Sequence, residues 1–288
     1  MKSYLDIVRH ILDHGVRKQN RTGIDTLSVS GVMFEHDMAT GFPLLTTKKM
    51  PFKVIRVELE GFIKGITDKQ WYKDRRCNIW NEWCNPTKVA YGHDEETKRR
   101  MAEERDLGPI YGFQWRHFDA EYKNYDSDYT GQGIDQLANM IAKIKSSPGD
   151  RRMIVMTWNP KAIPEQALPP CHYGFQVLVT EGKIDLLWNQ RSVDTALGLP
   201  FNIASYAILL HLIAKATGLG EGKLIGFLAD THLYVNQLEG AKLQLTREPK
   251  PLPRIITDKF TTIDEWTGED TRLEGYESHE KIEFPLAV

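Results

Sequence analysis

The sequence predicts a single domain built on a mixed β-sheet flanked by helices, of the α+β or, on pattern alone, the α/β kind. Three observations point there. Strand-like segments gather in the second half of the chain, helix-spaced segments dominate the first, and a strongly apolar run at 203–217 reads as a central core helix. No internal repeat, low-complexity tract or Gly/Ser/Pro-rich linker divides the 288 residues. Hydrophobic residues make up 41% and charged residues 26%, which argues against a mainly disordered chain.

The elements follow in order. Leu5, Val8, Ile11 and Leu12 repeat at helical spacing, with Ser3 and Asp6 approximating a capping box and Gly15 as the stop. Thr26 to Phe34 alternates apolar and polar side chains and reads as a strand. Val54 to Ile63 reads as a helix ending before Gly65. Residues 84–105 are polar and charged, and are expected to form a solvated excursion or short surface helix. Residues 119–133 read as a loop, and Ile134 to Ile144 as a helix through Leu137, Ile141 and Ile144. Met153–Trp158, Gly174–Thr180 and Ile184–Trp188 fit buried strands. Ile203 to Thr217 is apolar around most of its circumference and is closed by Gly218. Ile225–Leu228 reads as a short strand and the proline-rich Lys250–Ile256 as an edge.

Composition also narrows function. The formal net charge is -2, from 37 Lys+Arg against 39 Asp+Glu, so binding driven by overall positive charge is not expected, although a local basic site stays open. Three cysteines are too few for a disulfide scaffold and fit a reducing compartment. No apolar run approaches a membrane span, and the first ten residues lack the apolar core of a secretory signal.

Cys171 is the first chemical candidate. It follows Leu168-Pro169-Pro170 and precedes His172 and a predicted strand, and the two prolines fix the approaching backbone. Its thiolate would be a strong nucleophile; the bland alternative is a buried structural cysteine. Cys77 and Cys84 have no partner pair at zinc spacing, and no metal is expected. Arg151 and Arg152 precede a strand, while Arg191 and Ser192 follow one; forked guanidinium donors suit phosphate, but surface ion pairs would use the same residues. Adjacent strand residues face opposite ways, so Arg151 and Arg152 are expected to serve different sites or subunits.

Asn202 stands at the start of the core helix. Its amide can donate and accept, as reading a pyrimidine edge requires, or it can act as an N-cap. Asp230, His232 and Tyr234 alternate on one strand face, which fits sugar hydroxyls and a solvated face equally. Glu58 lies inside an apolar helix, and Trp80, Trp83, Tyr111 and Trp115 supply aromatic surface for a site or for core packing. Together these residues offer a thiol, phosphate-reading arginines, an amide for a base and a carboxyl acid/base.

The stretches 21–23 (RTG), 106–118 (DLGPIYGFQWRHF), 168–172 (LPPCH), 190–194 (QRSVD), 197–206 (LGLPFNIASY), 230–234 (DTHLY) and 247–253 (REPKPLP) resemble the thymidylate synthase family. The resemblance runs from about residue 2 to Val288, leaving 84–105 as a variable surface insertion without a clear counterpart. It implies one α+β domain over 1–288, with two mixed sheets stacked into a homodimer, and a cytoplasmic enzyme. The implied reaction is reductive methylation of dUMP to dTMP with 5,10-methylenetetrahydrofolate as co-substrate, through a Cys171 thioether at C6 and with dihydrofolate as product.

By the same resemblance, Arg21, Gln190, Arg191 and Ser192 would bind the nucleotide, with Arg151 and Arg152 reaching in from the neighbouring subunit. Asn202 would read uracil, and His232 and Tyr234 the ribose 3′-hydroxyl. Glu58 and Tyr111 would organise proton transfer. Lys48, Trp80, Asp194, Gly198 and Val288 would meet the folate, with the chain terminus closing over the ligands. Nearby arginines are expected to favour the Cys171 thiolate. No membrane or stable nucleic-acid partner is expected.

Five positions depart from the family pattern. Gly61 replaces Trp, Asn189 Tyr, Ala196 Phe, Ala229 Gly and Gln237 His. Several replacements are smaller, which predicts a looser or wetter folate side. That looseness raises a rival activity, dUMP hydroxymethylation, in which water captures the methylene intermediate. Trp80 and the Ala-Val terminus favour methylation, because hydride transfer needs a closed site. A further rival is a non-catalytic nucleic-acid-binding relative, which the combination of Cys171, both arginine pairs and Asn202 argues against.

Overall fold

The computed structural model describes residues 1–286. Helix α1 (Lys2–His14) buries Tyr4, Leu5, Ile7, Val8 and Ile11 along one face. The expected capping box is absent: the helix starts at Lys2, so Ser3 lies inside it, and its Oγ donates to Glu35 O at 2.9 Å.

Six strands form the main sheet: β1 (Val16–Lys18), β2 (Thr26–Asp37), β3 (Ile154–Met156), β4 (His172–Thr180), β5 (Lys183–Asp194) and β6 (Gly220–Tyr234). Their spatial order is β1-β2-β6-β5-β4-β3. Every pairing is antiparallel except β5 with β6, so the sheet is mixed as predicted. The parallel pair needs a long crossover, and α7 (Gly198–Thr217) supplies it.

Helix α7 is apolar and long enough to cross a membrane by length and composition, yet most of its apolar residues are buried in this protein. It is the central core helix that its all-round apolar surface predicts. It packs with Phe34, Phe175, Leu186, Trp188, Leu224 and Leu228 of the sheet's inner face in one continuous core. The sheet admits Trp188 because Gly226 beside it has no side chain; a Cβ there would lie 2.4 Å from the indole. Gly218 closes α7 in the left-handed conformation.

The outer sheet face is unlike the inner one. Met33 pairs with Phe227, and a second row runs from Ile225 through Leu187 and Gln176 to Ile154. Met33, Phe227 and Ile154 are all exposed in the single chain.

The remaining α-helices among the described residues are α2 (Phe52–Ile63), α3 (Lys69–Asp74), α4 (Glu95–Glu103), α5 (Tyr111–Arg116), α6 (Gln136–Ser146) and α8 (Leu238–Leu245). The predicted short strand at Ile225–Leu228 is only the middle of the 15-residue β6, whose polar flanks continue the alternation. The predicted edge at Lys250–Ile256 does not join the main sheet. Its end forms β7 (Arg254–Thr257), which pairs with β8 (Thr271–Glu274) in a separate hairpin. His211 of α7 holds that hairpin, bridging Glu221 at 2.6 Å and Thr257 at 3.0 Å.

Candidate active site

A cavity of about 1330 Å³ opens where β5 and β6 end. Arg21, Cys171, Arg191, Ser192, Asp194, His232 and Tyr234 all line it. The register explains the convergence: Ser192 lies beside Asp230, and Asp194 beside His232, on neighbouring parallel strands. Alternation then puts Ser192 and Asp194 on one face with Asp230, His232 and Tyr234. Arg21 arrives on a turn in which Asn20 Oδ1 accepts from Thr22 N at 2.9 Å and Gly23 takes φ 75.

The segment carrying Cys171 is held along its length. Tyr111 Oη accepts the Cys171 N–H at 2.8 Å, and the Arg191 N–H donates to Cys171 O at 2.8 Å. The Arg191 guanidinium donates to Pro170 O at 2.9 Å and Pro169 O at 2.8 Å. The cysteine is thus fixed from both sides, as its prolines suggested. Burial holds the Cys171 thiol above its ordinary value, while Arg191 and Arg21 pull toward the thiolate as expected but are outweighed.

Behind the cavity wall lies a second layer. Tyr111 stacks on Phe62 at 4.8 Å and on His172 at 4.4 Å. Burial drops His172 to about 3, so it stays neutral beside Tyr206, whose hydroxyl lies 2.8 Å from its Nδ1. Trp80 meets Tyr111 edge-on at 6.0 Å, and its Nε1 is buried without a hydrogen bond among the described residues. Glu58 faces that indole, and burial pushes its carboxyl up to about 7. A carboxyl there can hold or release a proton near neutral pH.

Asn202 lies one turn inside α7, so the N-capping alternative is removed. Its Oδ1 accepts from Gln190 Nε2 at 3.0 Å, and Gln190 Oε1 accepts from Trp188 Nε1 at 3.1 Å. This chain fixes which way the Asn202 amide points. Gly198 leaves room between Asn202 Oδ1 and the Asp194 Cβ, each 3.8 Å from where its own Cβ would stand.

Three further residues do not line this chain's own cavity. Arg151 and Arg152 are exposed and not on the cavity wall, and Arg152 forks onto Asp150 at 2.8 and 3.0 Å. Lys48 is buried rather than presented to the cavity, where its Nζ donates to Ala196 O at 2.5 Å beneath the Phe284 ring. Desolvation lowers it to about 8. Val288 lies outside the described residues.

The substitutions do not loosen the site as expected. The space left at Gly61 is taken by Tyr72, whose hydroxyl would lie 2.3 Å from a Cβ there. Gln237 is buried and fully used: Oε1 accepts from Tyr234 N at 3.1 Å, and Nε2 donates to Asp194 Oδ2 at 3.2 Å and Pro285 O at 3.1 Å. Ala196 is buried under the Lys48 ammonium. Asn189 pairs with Gly174 and Phe227 on the outer face, and Ala229 is exposed, so neither widens the cavity.

Several cavity residues escaped the sequence reading. Lys18 pairs with Asp230 at 2.6 Å, and Ser28 Oγ donates to the other carboxylate oxygen at 2.7 Å. Trp158 lies under the Arg191 guanidinium at 5.6 Å. The excursion at 84–105 contributes Tyr91, His93, Lys98 and Arg99 to the wall, so it does more than cover surface. Its polar composition gave no signal for that, because the contacts are made with segments far along the chain.

A fixed thiol, two arginines, an oriented amide and a near-neutral carboxyl around one cavity define the class: an α+β protein equipped for thiol attack on an anionic, ring-bearing ligand. Comparison with known proteins narrows this. The family model described as "Thymidylate synthase" matches residues 2–288. The chain is similar to the thymidylate synthase of Homo sapiens, with 46% identity over 286 residues, covering 99% of this chain and 90% of that protein. It is also similar to the thymidylate synthase of Equine herpesvirus 2 (strain 86/87), with 44% identity over 289 residues and 99% and 97% coverage. The chain belongs to the thymidylate synthase family.

Proposed function

We propose that this chain converts dUMP to dTMP, with 5,10-methylenetetrahydrofolate as co-substrate and dihydrofolate as second product. The observation that carries the reading is Cys171, locked by Tyr111 and Arg191 on the wall that also presents Arg21, Ser192 and Asp194. Family membership supports the same reaction.

Arg21, Arg191 and Ser192 hold the phosphate, and His232 and Tyr234 the ribose 3′-hydroxyl. Cys171 Sγ then bonds to C6 of uracil, and the C5–C6 π electrons move toward C5 and O4. Gln190 occupies one lone pair of Asn202 Oδ1, which leaves the amide N–H group free to donate to O4 as charge develops there. Glu58, poised near neutrality, takes part in proton movement at O4 and C5, with Tyr111 in the same network. Arrival of the phosphate gives Arg191 a stronger acceptor than the two carbonyls it now holds, and brings a dianion that neutralises some of the cationic field. Sulfur finally leaves C6 as the C5–C6 double bond re-forms.

The folate supplies the one-carbon unit and the hydride. The residues present fit it. Asp194 offers a carboxylate on the cavity wall for the N–H edge of a pterin, and Trp80 holds a buried indole beside Glu58. Leu286, from the chain's end, is already on the cavity rim. Lys48 could meet the folate tail only by leaving Ala196 O, so we assign it to holding the wall beside Asp194.

We further propose that two chains pair through their outer sheet faces. The exposed Met33, Phe227 and Ile154 support this, as does the position of Arg151 and Arg152 just before β3, at the edge of that face and away from their own cavity. They then serve the neighbour's phosphate. All three cysteines are free thiols, which supports a reducing compartment, the cytoplasm.

Product analysis tests the reaction. Incubation with dUMP and methylenetetrahydrofolate should yield dTMP and dihydrofolate in equal amounts. A nucleotide heavier than dTMP by one oxygen, with tetrahydrofolate, would establish hydroxymethylation instead.

A further inference from the structure

The excursion at 84–105 is fastened firmly for a polar segment. Cys84, Val89 and Met101 form a small buried cluster of their own. Lys69 Nζ donates to Trp83 O at 2.8 Å and Met101 O at 2.6 Å, and Lys73 Nζ to Ala102 O at 2.9 Å. Two ammonium groups therefore sit on the carbonyl end of α4, where the helix dipole favours them.

What this anchored segment holds is Tyr91. Its ring stands edge-on to Trp83 at 5.8 Å, and both rings line the cavity. Its hydroxyl donates to Ala167 O, with Cys84 O as a second carbonyl at 3.2 Å. Ala167 is buried, four residues before Cys171. Its N–H donates to Leu107 O at 2.8 Å, and the preceding Gln166 Nε2 donates to Pro109 O at 3.0 Å. The nucleophile segment is thus tied at Gln166 and Ala167 by the stretch that leads into Tyr111, at its prolines by Arg191, at Cys171 N by Tyr111, and at Ala167 O by Tyr91.

We propose that Tyr91, supplied by the excursion, is a positioning residue for Cys171. It acts through Ala167, fixing the start of the Leu168-Pro169-Pro170 approach so that the thiol stays buried and aimed into the cavity. The proposal rests on Cys171 being the nucleophile, and it gives the excursion a part in turnover.

Tyr91→Phe removes the hydroxyl and keeps the ring against Trp83, so folding is retained. Two rates separate positioning from general support. Loss of one hydrogen bond to the segment should lower kcat roughly three- to tenfold, with KM for dUMP within twofold. Alkylation of Cys171 by iodoacetamide should move the other way, rising about threefold or more as the segment relaxes and the thiol gains solvent. The melting temperature should stay within a few degrees of the parent. Both rates unchanged, or both lowered together with the melting temperature, would overturn the assignment, as would a change in one rate alone. Tyr91→Leu, which also discards the ring contact, should exaggerate the same opposed pair. If the parent protein formed no dTMP at all, the functional reading would fail by itself, while faster alkylation in Tyr91→Phe would still report the brace.

Discussion

Gly61 and Tyr72 occupy one volume: a Cβ on Gly61 would fall 2.3 Å from the Tyr72 hydroxyl and 2.4 Å from its ring. Tyr72 is fully buried and its hydroxyl donates to Ile66 O at 3.1 Å, so it cannot swing aside. Gly61→Ala should therefore destabilise by about 1–3 kcal/mol, the scale of overpacking, outweighing the gain of up to about 1 kcal/mol from helix propensity. Tyr72→Ala should cost about 3–5 kcal/mol through the cavity it leaves. The double variant tests the pairing: denaturant titration should show Gly61→Ala nearly neutral in the Tyr72→Ala background. Additive losses would mean that the two residues do not compete for space.

That pair also shows what the sequence hides. A glycine in an apolar helix reads as a gap, and its filler lies eleven positions on in a different helix, so composition predicts a loose site where packing makes a tight one. The candidate site itself was largely legible. Cys171 stood out by its two prolines, Arg191 and Ser192 by their place after a strand, and His232 and Tyr234 by their alternation, and all of them line one cavity. Arg21 and Asp194 were recognisable only from their motifs, since nothing local predicts that the Arg21 turn folds back to the cavity. Helices α3 and α5 escaped because six residues are too few for a periodic signal. The length of β6 escaped because its polar positions face the cavity and the solvent rather than marking its ends.

Glu58 carries a pH signature. Its carboxyl is raised to about 7 in the folded chain, against an ordinary value of 4.5, by burial. Between those values the folded state holds a proton that the unfolded chain has lost. Stability is thus highest below about pH 4.5 for this group, and declines as pH rises toward 7, by about 3 kcal/mol in all. Glu58→Gln should flatten that slope in urea titrations from pH 5 to 7.5 and raise stability at the upper end. It should also cut kcat by about 10²-fold or more, the scale of losing an acid/base group. A retained slope in the variant would assign the pH dependence to another group.

The Cys171 thiol is the second titration to follow. With the ligand-free thiol held above its ordinary value by burial, alkylation should be slow at neutral pH and rise through an inflection higher than that of a free cysteine. Arg191 opposes that shift, so Arg191→Met should move the inflection further up. Cys171→Ser should lower dTMP formation by a factor of about 10³ or more while leaving the fold intact by circular dichroism. Turnover close to the parent in that variant would remove sulfur from the mechanism.

Lys69 is 1% exposed, and its ammonium ties Met101 O of the excursion to Trp83 O just before it. Desolvation lowers it to about 8 from 10.5, so the folded chain holds fewer protons than the unfolded one across that window. Stability contributed here therefore rises as pH climbs from 8 to 10.5. Lys69→Met keeps the volume and ends this slope, but strands two buried carbonyls at about 1–3 kcal/mol each. The expected net outcome is loss of stability at pH 7 and faster proteolysis within residues 84–105. Cleavage spread evenly over the chain would show that Lys69 supports the whole domain and not that segment.

The pairing of two chains predicts complementation. Arg152 is 87% exposed at its side chain and tied only to Asp150, so removing it with Arg151 should leave the fold undisturbed. The Arg151→Ala, Arg152→Ala chain should bind dUMP weakly because its partner's phosphate clamp is lost, and the Cys171→Ser chain should lack the nucleophile. Each homodimer is then defective at both sites. In a mixed dimer one site receives both defects, and the other combines an intact Cys171 with intact arginines from across the interface. Random reassortment makes half the dimers mixed, each with one working site, so activity should recover to about a quarter of the parent value. Recovery should appear only after the chains are unfolded and refolded together, because a stable sheet-to-sheet interface exchanges slowly. If co-refolding restores nothing, the arginines act within their own chain or not at all, and the exposed Met33, Phe227 and Ile154 must be covered in some other way.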